Sequence, residues 1–173
     1  LPTGGGKSIC FQVPALMKEG LCLVVSPLIA LMKDQVDQLK SRGVKAMAIH
    51  SGLRKREIDT LLDNCVYGDY KFLYVSPERL KTEIFLERFK KMNISLIAVD
   101  EAHCISQWGY DFRPSYLEIV KIRDHFPKVP MVALTASATL KVRADIVEKL
   151  ALKAPSIFVK SFRRENLSYA VRW

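Results

Sequence analysis

The chain carries Pro2-Thr3-Gly4-Gly5-Gly6-Lys7-Ser8 directly ahead of a stretch with helical patterning. Successive glycines let a backbone turn tightly enough for its N–H groups to face one bound anion. A helix N-terminus behind them adds about half a positive charge. A lysine placed there reaches the terminal phosphates of a nucleotide, and a serine hydroxyl after it suits magnesium. Thr3, Gly4, Gly5, Gly6, Lys7 and Ser8 are therefore the candidate nucleotide-binding residues, with Lys7 also a candidate for catalysis. Leu1 stands where the strict phosphate-loop pattern has its first glycine, so the match is to a relaxed version. Alone, the segment also fits a glycine-rich turn followed by a chance Lys-Ser pair.

A second motif narrows the choice. Leu96-Ile97-Ala98-Val99 is an apolar run that ends in Asp100-Glu101-Ala102-His103. Two adjacent carboxylates at a strand end can divide labour, one holding a metal and the next accepting a proton from water. Asp100 takes the metal role, together with Ser8, and Glu101 the role of base. The plain alternative is a surface turn after a buried strand, which leaves the glycine loop without a partner. His103 is either an ordinary loop imidazole or a coupler between nucleotide and a second ligand. His50 and His125 have no acidic or cysteine partner at ligand spacing and read as structural or surface residues. Cys10, Cys22, Cys65 and Cys104 form no CxxC pair and favour reduced, packed thiols; no zinc site is expected.

Such groups need a scaffold that brings them to one edge. Runs rich in branched apolar residues recur at 21–26, 46–50, 72–76, 94–100 and 131–135, and helical patterning fills 29–42, 78–92 and 140–150. Strands alternating with helices predict a parallel sheet covered on both faces. Each run ends in small or polar residues, and in open α/β sheets ligands bind at the carboxyl ends of the strands. The glycine loop has no strand before it here, so one is expected upstream. Residues 161–173 turn basic and read as a linker into further structure.

With 173 residues, 49% of them apolar, one globular domain with a sizeable core is expected. Lys plus Arg number 27 against 18 Asp plus Glu, a net charge of +9 that suits a polyanionic partner without specifying one. No apolar run is long enough to cross a bilayer and no secretory signal is seen, which predicts a cytoplasmic protein.

Asp100-Glu101-Ala102-His103 taken with the glycine loop resembles superfamily-two helicases. Ser106-Gln107-Trp108-Gly109-Tyr110-Asp111-Phe112-Arg113-Pro114 resembles the aromatic-rich loop that follows the acidic motif in the RecQ family. Ser26-Pro27-Leu28-Ile29-Ala30-Leu31-Met32-Lys33-Asp34-Gln35 is similar to motif Ia, and Tyr74-Val75-Ser76-Pro77-Glu78-Arg79-Leu80 to motif Ib. Thr135-Ala136-Ser137-Ala138-Thr139 is similar to motif III, with Ser137 where threonine is commoner. Even Ser161-Phe162-Arg163-Arg164-Glu165-Asn166-Leu167 is similar to the segment leading into that family's second motor domain.

The resemblance implies an α/β, RecA-like parallel sheet with helices on both faces, a P-loop NTPase truncated at both ends. Residues 1–160 would form the ATP-binding domain, without its first strand and upstream glutamine motif, and 161–173 the start of the linker. The implied activity is ATP- and magnesium-dependent DNA unwinding in repair and recombination. The implied partners are single-stranded and partly duplex DNA and a second RecA-like domain, with no membrane and a cytoplasmic, DNA-associated location. His103, Gln107, Trp108, Phe112, Arg113, Ser26, Pro27, Lys33, Ser76, Pro77, Arg79, Thr135, Ser137 and Thr139 become candidates for DNA binding or coupling.

Elementary chemistry agrees in part. Trp108, Tyr110 and Phe112 alternate beside Arg113, a set that can stack on unpaired bases while the guanidinium takes a phosphate. Phe112 or Trp108 could equally be core. Lys33 and Arg79 either touch nucleic acid or belong to solvated faces, and the Ser-Pro turns are candidate phosphate contacts if they leave N–H groups free. The acidic motif does not separate DNA from RNA helicases, so an RNA helicase, a duplex-DNA translocase and a non-hydrolysing clamp remain as alternatives. A phosphate-loop kinase would leave the later motifs unexplained. Without an arginine finger from a further domain, the chain alone is expected to turn over very slowly.

Overall fold

The computed structural model describes residues 6–160 and Ala170. Thr3, Gly4 and Gly5, and all of the expected linker except Ala170, lie outside the described residues. Strands β1 (Leu21–Val25), β2 (Ala46–Ile49), β3 (Phe72–Val75), β4 (Ile94–Val99) and β5 (Met131–Ala133) fall inside the five expected runs. They form one sheet in the order β2-β3-β1-β4-β5, every pair parallel. Helices α1 (Ile9–Leu16), α2 (Ile29–Ser41), α3 (Lys55–Tyr67), α4 (Glu83–Phe89), α5 (Glu118–Arg123) and α6 (Leu140–Lys149) precede, link or follow them.

Alternation along the strands divides the core. On one face Cys22, Val24, Phe72, Tyr74, Leu96 and Ala98 pack with Phe11 and Ala15 of α1 and Met32, Val36 and Leu39 of α2. On the other, Leu21, Leu23, Val25, Leu73, Val75, Ile97 and Val99 meet the apolar sides of α3, α4, α5 and α6. With both faces covered, the strands need apolar residues on each side, which explains their unbroken apolar runs.

The register decides where the strands stop. Val75 pairs with Ile49 and with Val25, Val25 with Val99, and Val99 with Ala133. The strand ends are therefore level, and the residues that follow, His50, Ser76, Ser26, Asp100 and Leu134, start from a common edge.

Two details depart from the sequence reading. The helix expected over 78–92 is broken into a 3-10 turn at Pro77–Arg79 and α4. Pro77 starts the turn, and the Thr82 hydroxyl donates to the Arg79 carbonyl at 2.8 Å, a local bond that competes with helix continuation. The cysteines are all free, but Cys10 is exposed on the first turn of α1, whereas burial pushes the Cys22 and Cys65 thiols up to about 12.

The helical layer over β4 is anchored by Phe89, fully buried, which stacks on Phe85 at 5.2 Å and meets Phe126 edge-on at 5.0 Å. Phe89→Ala is expected to destabilise the chain by about 3–5 kcal/mol, measured as a lower urea midpoint with an unchanged transition slope.

Candidate nucleotide and nucleic-acid site

Beyond β4 the chain must turn while its neighbours hold it. The Asp100 N–H still donates to the Val25 carbonyl at 2.9 Å, and the Ala102 N–H donates to the Leu134 carbonyl at 2.9 Å. Glu101, between them, takes up the turn in the left-handed region at φ 45° and ψ 46°. Non-glycine residues rarely adopt that conformation, and it concentrates at functional sites.

The turn separates the two carboxylates. Asp100 accepts from the Ser26 hydroxyl at 3.3 Å and from the Glu101 N–H at 3.0 Å. Its backbone carbonyl accepts from the hydroxyl of fully buried Tyr116 at 2.9 Å. Burial, and then the charge of Glu101, hold the Asp100 carboxyl above the usual carboxylate range. The Glu101 carboxylate lies 3.5 Å from the Lys7 ammonium and 3.2 Å from Nδ1 of His103. That same Nδ1 is 2.9 Å from the Thr135 hydroxyl, which accepts the Ser137 N–H at 3.1 Å.

Lys7, Glu101, His103 and Thr135 thus form one polar line across three motifs far apart in sequence. His103 is buried within this line. Gly6 holds a left-handed φ of 77°, and the Ile9 N–H donates to its carbonyl, so the loop closes directly into α1. Ser8 is half-buried at the helix start.

The aromatic segment leaves the same turn. Trp108 is 63% exposed and Tyr110 97%, whereas Phe112 is half-buried. The core reading therefore fails for Trp108. Gln107 is exposed. Arg113 is engaged within the protein: Nε and Nη2 donate to Asp111 at 3.0 and 2.9 Å, and Nη1 to the Pro27 carbonyl at 3.3 Å. A pocket of about 390 Å³ opens between the acidic turn, the aromatic segment and Pro27-Leu28. Cys104 lines it, but burial pushes its thiol up to about 11, which keeps it protonated near neutral pH.

The Ser-Pro turns differ from expectation in one respect. The Ser26 N–H donates to the Val75 carbonyl and the Ser76 N–H to the Ile49 carbonyl, both at 3.1 Å, so neither is free for phosphate. A helix leaves the N–H groups of its first turn without intrahelical partners, and α2 begins three residues after Ser26 with no side-chain cap. The Ser76 hydroxyl is buried with no hydrogen-bond partner among the described residues, and Pro77 is buried as the first residue of its 3-10 turn. Lys33 is exposed, while Arg79 donates to the carbonyls of His50 and Ser51, both at 3.4 Å. Their two charges join burial in holding His50 below the usual imidazole range. Thr139 caps α6 by accepting the Val142 N–H at 3.3 Å, and Ser137 is exposed beside it.

Sequence reasoning missed Tyr116, the Asp111–Arg113 pair and Asp145, which accepts the Ser106 hydroxyl at 2.6 Å. The Asp-x-Arg spacing was the one available signal, whereas the other two are long-range contacts with no local pattern.

Comparison with known proteins agrees with this architecture. Residues 1–146 match the family described as DEAD/DEAH box helicase, and the chain belongs to it. It is 46% identical over 171 residues to the ATP-dependent DNA helicase RecQ of Pasteurella multocida, covering 99% of this chain and 27% of that protein. It is 48% identical over 172 residues to the RecQ of Bacillus subtilis, covering 99% and 29%. The chain therefore spans little more than a quarter of these relatives. Among solved structures, the Hef helicase domain of Pyrococcus furiosus superposes with a TM-score of 0.63 at 21% identity, covering 87% of this chain and 32% of that one. A hypothetical ATP-dependent RNA helicase from Sulfolobus tokodaii gives 0.66 at 16% identity, covering 88% and 44%. The fold is the RecA-like helicase fold. Among the described residues, no helix is long and apolar enough to cross a membrane.

Tyr116→Phe removes the hydroxyl that fixes the Asp100 carbonyl and is expected to cost about 1–3 kcal/mol, seen as a lower denaturation midpoint with the fold retained by circular dichroism.

Proposed function

We propose that this chain is the first motor domain of a RecQ-type helicase, coupling ATP hydrolysis to movement along single-stranded DNA and to duplex unwinding in repair and recombination. The observation that carries it is the unbroken line from Lys7 through Glu101 and His103 to Thr135, with an exposed aromatic segment leaving the same turn.

In this reading Thr3, Gly4, Gly5 and Gly6 supply N–H groups to the phosphates, and Lys7 is drawn to the terminal phosphates. Asp100 and Ser8 fit magnesium. Both offer hard oxygen donors, and the Asp100 carboxylate is buried beside the charge of Glu101, an arrangement that a cation relieves. Among the described residues no group of three or more His, Cys, Asp or Glu side chains is arranged to hold a metal ion. Magnesium, when bound with the nucleotide, neutralises charge on the transferring phosphoryl group. Glu101 accepts the proton of the attacking water as the bond between the β- and γ-phosphates breaks, releasing ADP and phosphate. His103 holds the Glu101 carboxylate in place and ties it to Thr135.

Trp108 and Tyr110 offer faces for unpaired bases, worth about 1–3 kcal/mol each. Phe112 and Gln107 complete that surface, and Arg113 positions it through Asp111 and Pro27. Lys33 meets the backbone of the strand along the remaining sheet edge, which Arg79, Ser26, Ser76, Pro77, Ser137 and Thr139 shape. Residues 1–160 form the ATP-binding domain, and 161–173 lead into a second RecA-like domain that would supply the arginine finger. Such a residue is worth about a thousand to a hundred thousand fold in turnover. A cytoplasmic, DNA-associated location follows from the same reading.

The test is ATP turnover by the full-length parent with single-stranded DNA, single-stranded RNA or neither. Stimulation by DNA is expected, lowered about a hundredfold or more by Glu101→Gln and lost in Trp108→Ala while basal turnover persists. Equal stimulation by RNA would assign the chain to RNA remodelling, and no turnover under any condition would reduce it to a clamp.

A further inference from the structure

Helix α6 carries a stripe of charged residues, Lys141, Asp145 and Lys149, spaced one turn apart and facing the aromatic segment. Ser106 is fully buried at the base of that segment. Its hydroxyl donates to Asp145 at 2.6 Å and accepts the Trp108 N–H at 3.1 Å. Lys149 pairs with Asp145 at 3.4 Å, donates to the Ile105 carbonyl at 3.3 Å and lies 5.9 Å from the Phe112 ring centre. The hydrogen bond from Ser106, and then Lys149, hold the Asp145 carboxyl below its usual range, so the seat stays charged. One turn earlier, the Lys141 ammonium stands over the Trp108 ring, 3.0 Å from its centre.

These contacts have a consequence for nucleic-acid binding. The base of the segment is pinned to α6 through Ser106, which places the indole within reach of Lys141. The ammonium then covers one of the two faces a base could stack on. Cation and base cannot share that face.

We propose that Lys141 is a specificity-setting residue that competes with an unpaired base for one face of Trp108, so nucleic acid engages that face only by displacing the ammonium. The inference rests on the helicase reading of the aromatic segment. Lys141 is itself exposed and caps nothing, so its replacement leaves the fold intact.

The test uses the full-length parent and reads the single-stranded DNA concentration giving half-maximal ATP turnover. Lys141→Gln is expected to lower it about two- to five-fold, the factor matching an exposed cation–π contact. Lys141→Arg, which retains a cation for the ring, is expected to leave it unchanged. A weaker response in Lys141→Gln, with a salt dependence shallower by about one counterion, would make Lys141 a phosphate ligand and overturn the proposal. No change in Lys141→Gln would overturn it equally. If DNA fails to stimulate the unaltered parent, the functional reading fails first, and the outcome is distinguishable from either of these.

Discussion

Two backbone hydrogen bonds, one on each side of Glu101, constrain everything that happens at this sheet edge. Asp100 is still held by β1 through the Val25 carbonyl, and Ala102 is already held by the chain leaving β5 through the Leu134 carbonyl. The residue between has no choice of direction, and its left-handed backbone follows from that geometry. The cost of such a conformation, on the order of 1–3 kcal/mol, is sustained because the parallel ladders on both sides of β4 over-determine it. The consequence is electrostatic. Asp100 stays over β1, hydrogen-bonded to Ser26, while Glu101 swings toward Lys7 and His103. Adjacent carboxylates in an ordinary turn would share one environment, whereas here each has its own partners, as a division of labour requires.

Polar groups at this edge are satisfied mostly by one another, and that limits which of them can meet a ligand. Arg113 looks in sequence like a phosphate ligand beside a row of aromatics, but its guanidinium is spent on Asp111 and the Pro27 carbonyl. It bridges the aromatic segment to the turn after β1. Arg79 is similarly occupied with the carbonyls after β2. Position on a ligand-binding edge does not make a cation available to the ligand. Trp108, Tyr110, Gln107 and Lys33 are among the exposed groups left for contacts outside the chain.

The sequence made the sheet legible because its strands are buried on both faces and therefore apolar without interruption, bounded by small and polar residues. The Asp-Glu pair was legible as the end of β4 because it is local, directly following an unbroken apolar run. What stayed hidden was long-range. Tyr116 looks like any tyrosine beside a proline, and only folding brings its hydroxyl to the Asp100 carbonyl. The α4 boundary failed because Thr82, unremarkable in a helical pattern, bonds back to Arg79. In the Ser-Pro turns the serine N–H groups extend the sheet ladder by one more bond, which no property of a Ser-Pro dipeptide foretells.

The same distinction bears on how distant parts of the site communicate. Thr135 ends the chain leaving β5 and touches His103, while Thr139, four positions on, caps the helix that seats the aromatic segment. Glu101 begins the other route: the chain runs from it through Ala102–Ile105 to Ser106, whose hydroxyl returns to the same helix at Asp145. The acidic turn and α6 are thus joined twice, once through His103 and Thr135 and once through the covalent chain to Ser106. The Ser106–Asp145 bond and the Lys149–Ile105 contact both hold the base of the aromatic segment to α6, whose capping residue Thr139 lies four positions after Thr135. Closed loops of short contacts transmit displacement better than a single path, because no one bond can absorb the motion alone.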